Sequence, residues 1–174
     1  MSGGRGAKRI VARDPRQLAL NYLANHQVMT LATQGPLGVW AAAVFYVNDG
    51  FDLIFLSAGH TRHAQNLTAV PQVAATIQED YRDWEMIQGI QLEGSVALLA
   101  GVSRETAISR YQQKFPFLAN ANAQIQAALA RVNWYLLKPE RLYFIDNSLG
   151  LGHRDEIELG GNGRKTTAQS GQNF

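Results

Sequence analysis

Val28-Met-Thr-Leu-Ala-Thr-Gln-Gly-Pro-Leu-Gly-Val-Trp-Ala-Ala-Ala-Val-Phe-Tyr-Val-Asn-Asp-Gly-Phe-Asp-Leu-Ile-Phe-Leu-Ser57 is the stretch that decides the fold. Val28 to Thr33 reads as a strand, ended by Gly35-Pro36. Val39 to Val47 reads as a second strand and Phe51 to Ser57 as a third, with Asn48-Asp49-Gly50 as the turn between them. Consecutive short strands joined by tight turns form an antiparallel meander.

Working outward, Thr61 to Val70 reads as a short helix, capped by Thr61 and stopped by Pro71. Val73 to Gln78 is a fourth strand. Ile87 to Leu99 is a long one, with Gly89 and Gly94 as candidate bulges. A helix is expected from Ser103, as N-cap, to Phe115 before Pro116, and another over Ala121 to Arg131. Asn133 to Leu137 and Leu142 to Asp146 read as two strands around Lys138-Pro139-Glu140. On the other side, Asp14 caps a helix with Pro15 at its first position, running to about Gln27. Residues 1–12 read as a flexible tail, residues 159–174 as a disordered one, and residues 13–158 as a single domain. The class is mainly β, or α+β: an antiparallel β-barrel, closed or nearly closed, with a few short helices.

Composition narrows the function classes. With 46% hydrophobic and 17% charged residues the chain is an ordinary globular domain. No apolar run approaches the roughly 20 residues of a membrane helix, so no membrane role and a cytoplasmic location are expected. There are no cysteines, which excludes disulfides, thiolate catalysis and iron–sulfur clusters. The net charge of +2 is spread thinly, and no nucleic-acid partner is expected, because phosphate neutralisation needs several cations on one surface.

Two segments suggest chemistry. In Leu56-Ser57-Ala58-Gly59-His60-Thr61-Arg62-His63, a strand ends in Ser and a helix opens on Thr-Arg-His. The first amides of a helix, two hydroxyls and an Arg suit a small anion, although a plain N-cap beside a solvated Arg fits the same residues. Later, Gly150-Leu-Gly-His153-Arg154 offers a titratable ring and a fixed fork of donors after two glycines. His60, His63 and His153 lack metal-ligand spacing, and no metal site is expected.

Over roughly Gln27 to Arg154 the chain resembles the pyridoxamine 5′-phosphate oxidase-like family of FMN-binding split barrels, in its branch of small bacterial proteins. Gly59-His60-Thr61-Arg62-His63 followed by Ala69-Val70-Pro71-Gln72-Val73 is similar to the family's loop ending Ser-Arg-Lys before a helix and Asn-Pro-x-Val. Lys138-Pro139-Glu140-Arg141-Leu142 is similar to its Val-Pro-x-Arg-Ile. Leu151-Gly152-His153-Arg154 is similar to its Arg-Leu-His-Asp-Arg loop. The resemblance implies FMN as cofactor and a homodimer with the flavin between subunits. It implies Ser57, Thr61, Arg62 and His63 at the phosphate, Ala41, Ala42, Ala43 and Val44 along the ring, and Gln91 from the long strand. Trp134, His153 and Arg154 would lie at the substrate or in a loop acting on the partner subunit. A small-molecule substrate or electron donor follows; neither it nor a catalytic residue is identified.

Departures are equally visible. The oxidase's Arg-x-Val-Leu-Leu-Lys strand is here Ala41-Ala-Ala-Val-Phe-Tyr46, and His63 replaces a usual Lys. On the middle helix Tyr111 is present, but Phe115 precedes Pro116 where the oxidase has Arg, with Lys114 one step away. Haem, a deazaflavin, or a dimeric barrel without cofactor therefore stand beside FMN as alternatives.

Overall fold

The computed structural model describes residues 13–119 and 121–160. Of the tails expected at 1–12 and 159–174, residues 1–12 and 161–174 lie outside the described residues; Leu159, placed in the second tail, packs against the core. The elements are α1 (Pro15–Asn25), β1 (Val28–Gly35), β2 (Gly38–Asp49), β3 (Asp52–Ser57), α2 (Arg62–Ala69), β4 (Gln72–Gln78), β5 (Gln88–Leu98), α3 (Gly101–Lys114), α4 (Pro116–Ala119), α5 (Ala123–Arg131), β6 (Asn133–Asp146) and β7 (Arg154–Glu156).

All strand pairings are antiparallel, in the order β3-β2-β1-β4-β5-β6, and β3 also pairs with β6. Six strands therefore close into a barrel, and β7 adds to the outer end of β6. Closure leaves the barrel with no free edge to template aggregation. Alternate residues point inward: Met29 and Leu31, Tyr46, Leu53 and Phe55, Ile77, Ile90, Leu137, Leu142 and Phe144 are almost completely buried. Each such side chain contributes about 1.5–3 kcal/mol by leaving water.

Helices close the two ends. At one, Asp14 accepts hydrogen bonds from the Arg16 and Gln17 amides, α1 follows, and Ala19, Tyr22 and Leu23 enter the core. At the other, Thr61 caps α2, which buries Ala64 and Leu67. Asn66 on α2 donates to Thr33 Oγ1, and Gly35 lies so close to Asn66 that a Cβ there would overlap its side chain. A second, smaller core forms where α3 covers the outer face of β2, β3 and β6, from Val47, Ile54, Ala107, Tyr111, Phe115 and Trp134.

Four expectations change. The two strands around Lys138-Pro139-Glu140 are one continuous β6. Gly94 explains why: it pairs with Pro139 while Glu93 pairs with Arg141, so Glu140 is the extra residue of a bulge. A Cβ on Gly94 would overlap the Lys138 carbonyl oxygen, and the bulge spares the proline a ladder bond it cannot donate. Ser103 is not an N-cap: α3 starts at Gly101, capped by Ala100 without a side-chain bond. Pro116 does not end the helical layer but opens α4. Finally, α1 stops at Asn25, where the His26 ring turns back on the Tyr22 carbonyl.

Candidate functional site

The β3–α2 junction brings Ser57, Thr61 and His63 together. Ser57 Oγ lies 2.6 Å from His63 Nε2 and 2.8 Å from Thr61 Oγ1, and Thr61 Oγ1 lies 3.2 Å from His63 Nε2. Thr61 donates to the Ala58 carbonyl and accepts from the Ala64 amide. The amides of Arg62 and His63, in the first turn, have no acceptor within the helix. Burial pushes the His63 imidazole below its ordinary pKa, which favours its uncharged form. The junction thus gathers two hydroxyls, an imidazole and helix-end amides, and no carboxylate bonds to Ser57, Thr61 or His63 among the described residues.

Arg62 is held beside this cluster by the β1–β2 hairpin. Its Nη2 donates to the Leu37 carbonyl at 2.7 Å, and its guanidinium carbon sits 4.7 Å from the centre of the Trp40 ring. Such stacking is worth about 0.5–1 kcal/mol at an exposed site. Its shielded Nε has no acceptor among the described residues. Trp40 is the platform that sequence reasoning missed; nothing local marked an aromatic ring across a hairpin from the Arg.

The strand residues divide by pleat. Ala42 and Val44 share a face with Leu31 and Met29 and point inward, so only their backbone is open to a ligand. Ala41 and Ala43 point outward. One cross-strand row on the outer face reads Ala43, Thr30, Thr76, Gln91; the next reads Ala41, Ala32, Ala74, Glu93. Strands lie about 4.8 Å apart, so Gln91 stands roughly 14 Å across the sheet from Ala43. The result is a shelf of small side chains bordered by Gln91, beside a shallow concavity of about 420 Å³ floored by Gly89.

Trp134, His153 and Arg154 do not join the cluster within this chain. Trp134 pairs with Leu56, so it faces away from Ser57, and it is buried against Tyr111 beneath α3. His153 and Arg154 follow the far end of β6, whose near end, Asn133, pairs with Ser57. β6 is 14 residues long, so these ends lie on the order of 40 Å apart along the strand. There Arg13 bridges Asp146 (3.1 Å) and Asp155 (2.7 Å), while His153 Nε2 sits 3.4 Å from Asp155 without a hydrogen bond. Among the described residues, no three His, Asp or Glu side chains are grouped to hold a metal. No helix among them is long and apolar enough to cross a membrane.

Tyr111 and Lys114 are spent on structure. The Tyr111 hydroxyl donates to the Phe45 carbonyl. Lys114 donates to the His26 carbonyl at 2.6 Å, and burial pushes its ammonium down to about 8. Neither is free for a substrate phosphate.

Comparison with known proteins fits this geometry. The family profile described as pyridoxamine 5′-phosphate oxidase matches residues 16–146. A UPF0306 protein of Photorhabdus laumondii is 34% identical over 140 residues, covering 79% of this chain and 92% of the relative. Among solved structures, a haem-binding protein from Mycobacterium smegmatis has a TM-score of 0.69 at 18% identity, covering 86% of this chain and 60% of that one. A FAD-binding protein from Mesorhizobium loti has a TM-score of 0.56 at 15% identity, covering 72% and 90%. These likenesses carry the split-barrel fold.

Proposed function

The chain belongs to the pyridoxamine 5′-phosphate oxidase family, and from that premise we propose that it is an FMN-binding protein, a flavin-dependent oxidoreductase acting on a small molecule. One observation carries the reading: the uncharged donor cluster of Ser57, Thr61 and His63 at the first turn of α2, with Arg62 tethered beside it. These groups suit a phosphate monoester dianion, taking hydroxyl and amide hydrogen bonds from the helix end and one full charge from Arg62. The isoalloxazine would supply the redox chemistry; the protein's part is to hold it and exclude water. Ala41 and Ala43 leave room for a flat ring against the strand, and Gln91 offers an amide at the border of the shelf.

We place the flavin between two copies of the chain. The outer face of β1, β2 and β4 carries Ala32, Ala41, Ala43 and Ala74 together with half-exposed Phe45, a surface with little charge to desolvate. A second copy would bring His153 and Arg154 to the phosphate end; their own chain holds them at the opposite end of β6. Pyridoxamine phosphate is disfavoured as substrate, because Tyr111 and Lys114 are bonded to backbone carbonyls.

Haem is the second reading, supported by the fold likeness to the mycobacterial haem-binding protein. It needs an axial ligand, for which His63 and His153 are the candidates; His63 Nε2 is engaged with Ser57, whereas His153 Nε2 has no hydrogen-bond partner among the described residues. A fluorescence-quenching titration with FMN tests the leading reading. Arg62→Ala is expected to weaken binding by about 1.5–3 kcal/mol, the value of a hydrogen bond to a charged group. Unchanged affinity removes Arg62 from the phosphate site.

A further inference from the structure

A cavity of about 320 Å³ lies between α3, α4, α5 and β6, on the opposite face of the sheet from Ser57. Its walls are apolar: Ile108, Leu118 and Leu129, with the Trp134 ring contributing the barrel side. Its polar lining is Arg104, Gln112, Gln126 and Tyr111, with Arg104 the one charged group. Arg104 on α3 takes part in none of the ion pairs among the described residues. The indole Nε1 of Trp134, a residue only 3% exposed, has no acceptor among them. A buried unpaired donor is rare enough in folded proteins to need a cause. The volume falls within the range of small-molecule sites, and an apolar lining with a few polar groups is their usual make-up. No carboxylate among the described residues lines the cavity. An occupant that pairs with Arg104 and covers the apolar wall has an apolar body and a single anionic head.

We infer that this cavity is a second binding site, for a small monocarboxylate with an aliphatic or aryl body whose carboxylate pairs with Arg104 and whose body lies against Trp134. The site is independent of the flavin reading. It predicts that Arg104 discriminates by charge, and that α5, which buries none of its side chains completely, closes onto the ligand.

The test uses the full-length protein, labelled with nitrogen-15, and sodium decanoate as probe. The chain has three tryptophans, and Trp40→Phe and Trp84→Phe, both at exposed positions, identify the Trp134 indole signal by elimination. Decanoate is expected to shift that signal saturably. Arg104→Gln should weaken binding at least fivefold, Ala130→Trp should block it, and decylammonium should leave the signal in place. FMN binding should be unchanged in Arg104→Gln. An unmoved Trp134 signal, equal affinity in Arg104→Gln, or an equal response to decylammonium would each overturn the assignment.

Discussion

The two ends of β6 carry the same kinds of residue and use them differently. Beside Asn133, a His and an Arg stand among hydroxyls and helix-end amides, and no acidic side chain takes part in the hydrogen bonds of Ser57, Thr61 or His63. Beyond Asp146, a His and an Arg again follow glycines, but here Arg13, Ser148 and Gln88 already surround the carboxylate, and Asp155 holds Arg13 from the other side. The first end keeps the Arg62 Nε and the first amides of α2 as unpaired donors and is suited to an incoming anion. The second is internally neutralised and suited to stability, with Arg154 exposed beside it. Residue type alone does not separate a site from a strut; the balance of donors and acceptors around it does.

That contrast can be broken at three points. The largest effect belongs to the strand joining the ends: Gly94→Val drives a side chain into the Lys138 carbonyl and should cost about 3 kcal/mol in urea unfolding. A cost below 1 kcal/mol would mean that the bulge is not fixed by Gly94. Next comes the neutralised end. Burial alone would raise the Asp146 carboxyl, but bonds from Ser148, Arg13 and Gln88 outweigh it and hold the group below the usual carboxylate range. A depressed folded pKa gives stability that is present above the unfolded value, about 3.9, and is lost as pH falls through the folded one. Asp146→Ala should therefore cost about 2 kcal/mol at pH 7, and the difference from the parent should shrink below about pH 4. A pH-independent difference would assign the loss to packing. The smallest effect belongs to the anion end. His63→Lys adds a cation to a site that has one nearby, and should tighten FMN binding by about 0.5–1 kcal/mol. Weaker binding would show that the Ser57–His63 hydrogen bond matters more than charge.

Sequence legibility followed the same divide. The Asn48-Asp49-Gly50 turn and the alternation around it marked the meander, since a strand and its tight turn are both local. Asp14-Pro15 and Thr61 marked helix starts for the same reason. The β3–β6 pairing that closes the barrel was not readable, because its partners lie far apart in sequence. Pro139 suggested a break in β6 because the compensating Gly94 sits on another strand. β7 is only three residues long, too short to show alternation. The anion cluster was legible because Ser57, Thr61 and His63 fall within one strand–helix junction. The burial of Trp134 under α3, the inward turn of Ala42 and Val44, and the Arg13 bridge to Asp146 and Asp155 all depend on register and long-range packing.

The central claim is that the uncharged donor end holds FMN, and an absorption spectrum of the purified protein after incubation with FMN and gel filtration tests it most directly. Two broad flavin bands co-eluting with the protein, reduced in Arg62→Ala, are the predicted result. A colourless protein, or a Soret band with no retained flavin, would contradict it.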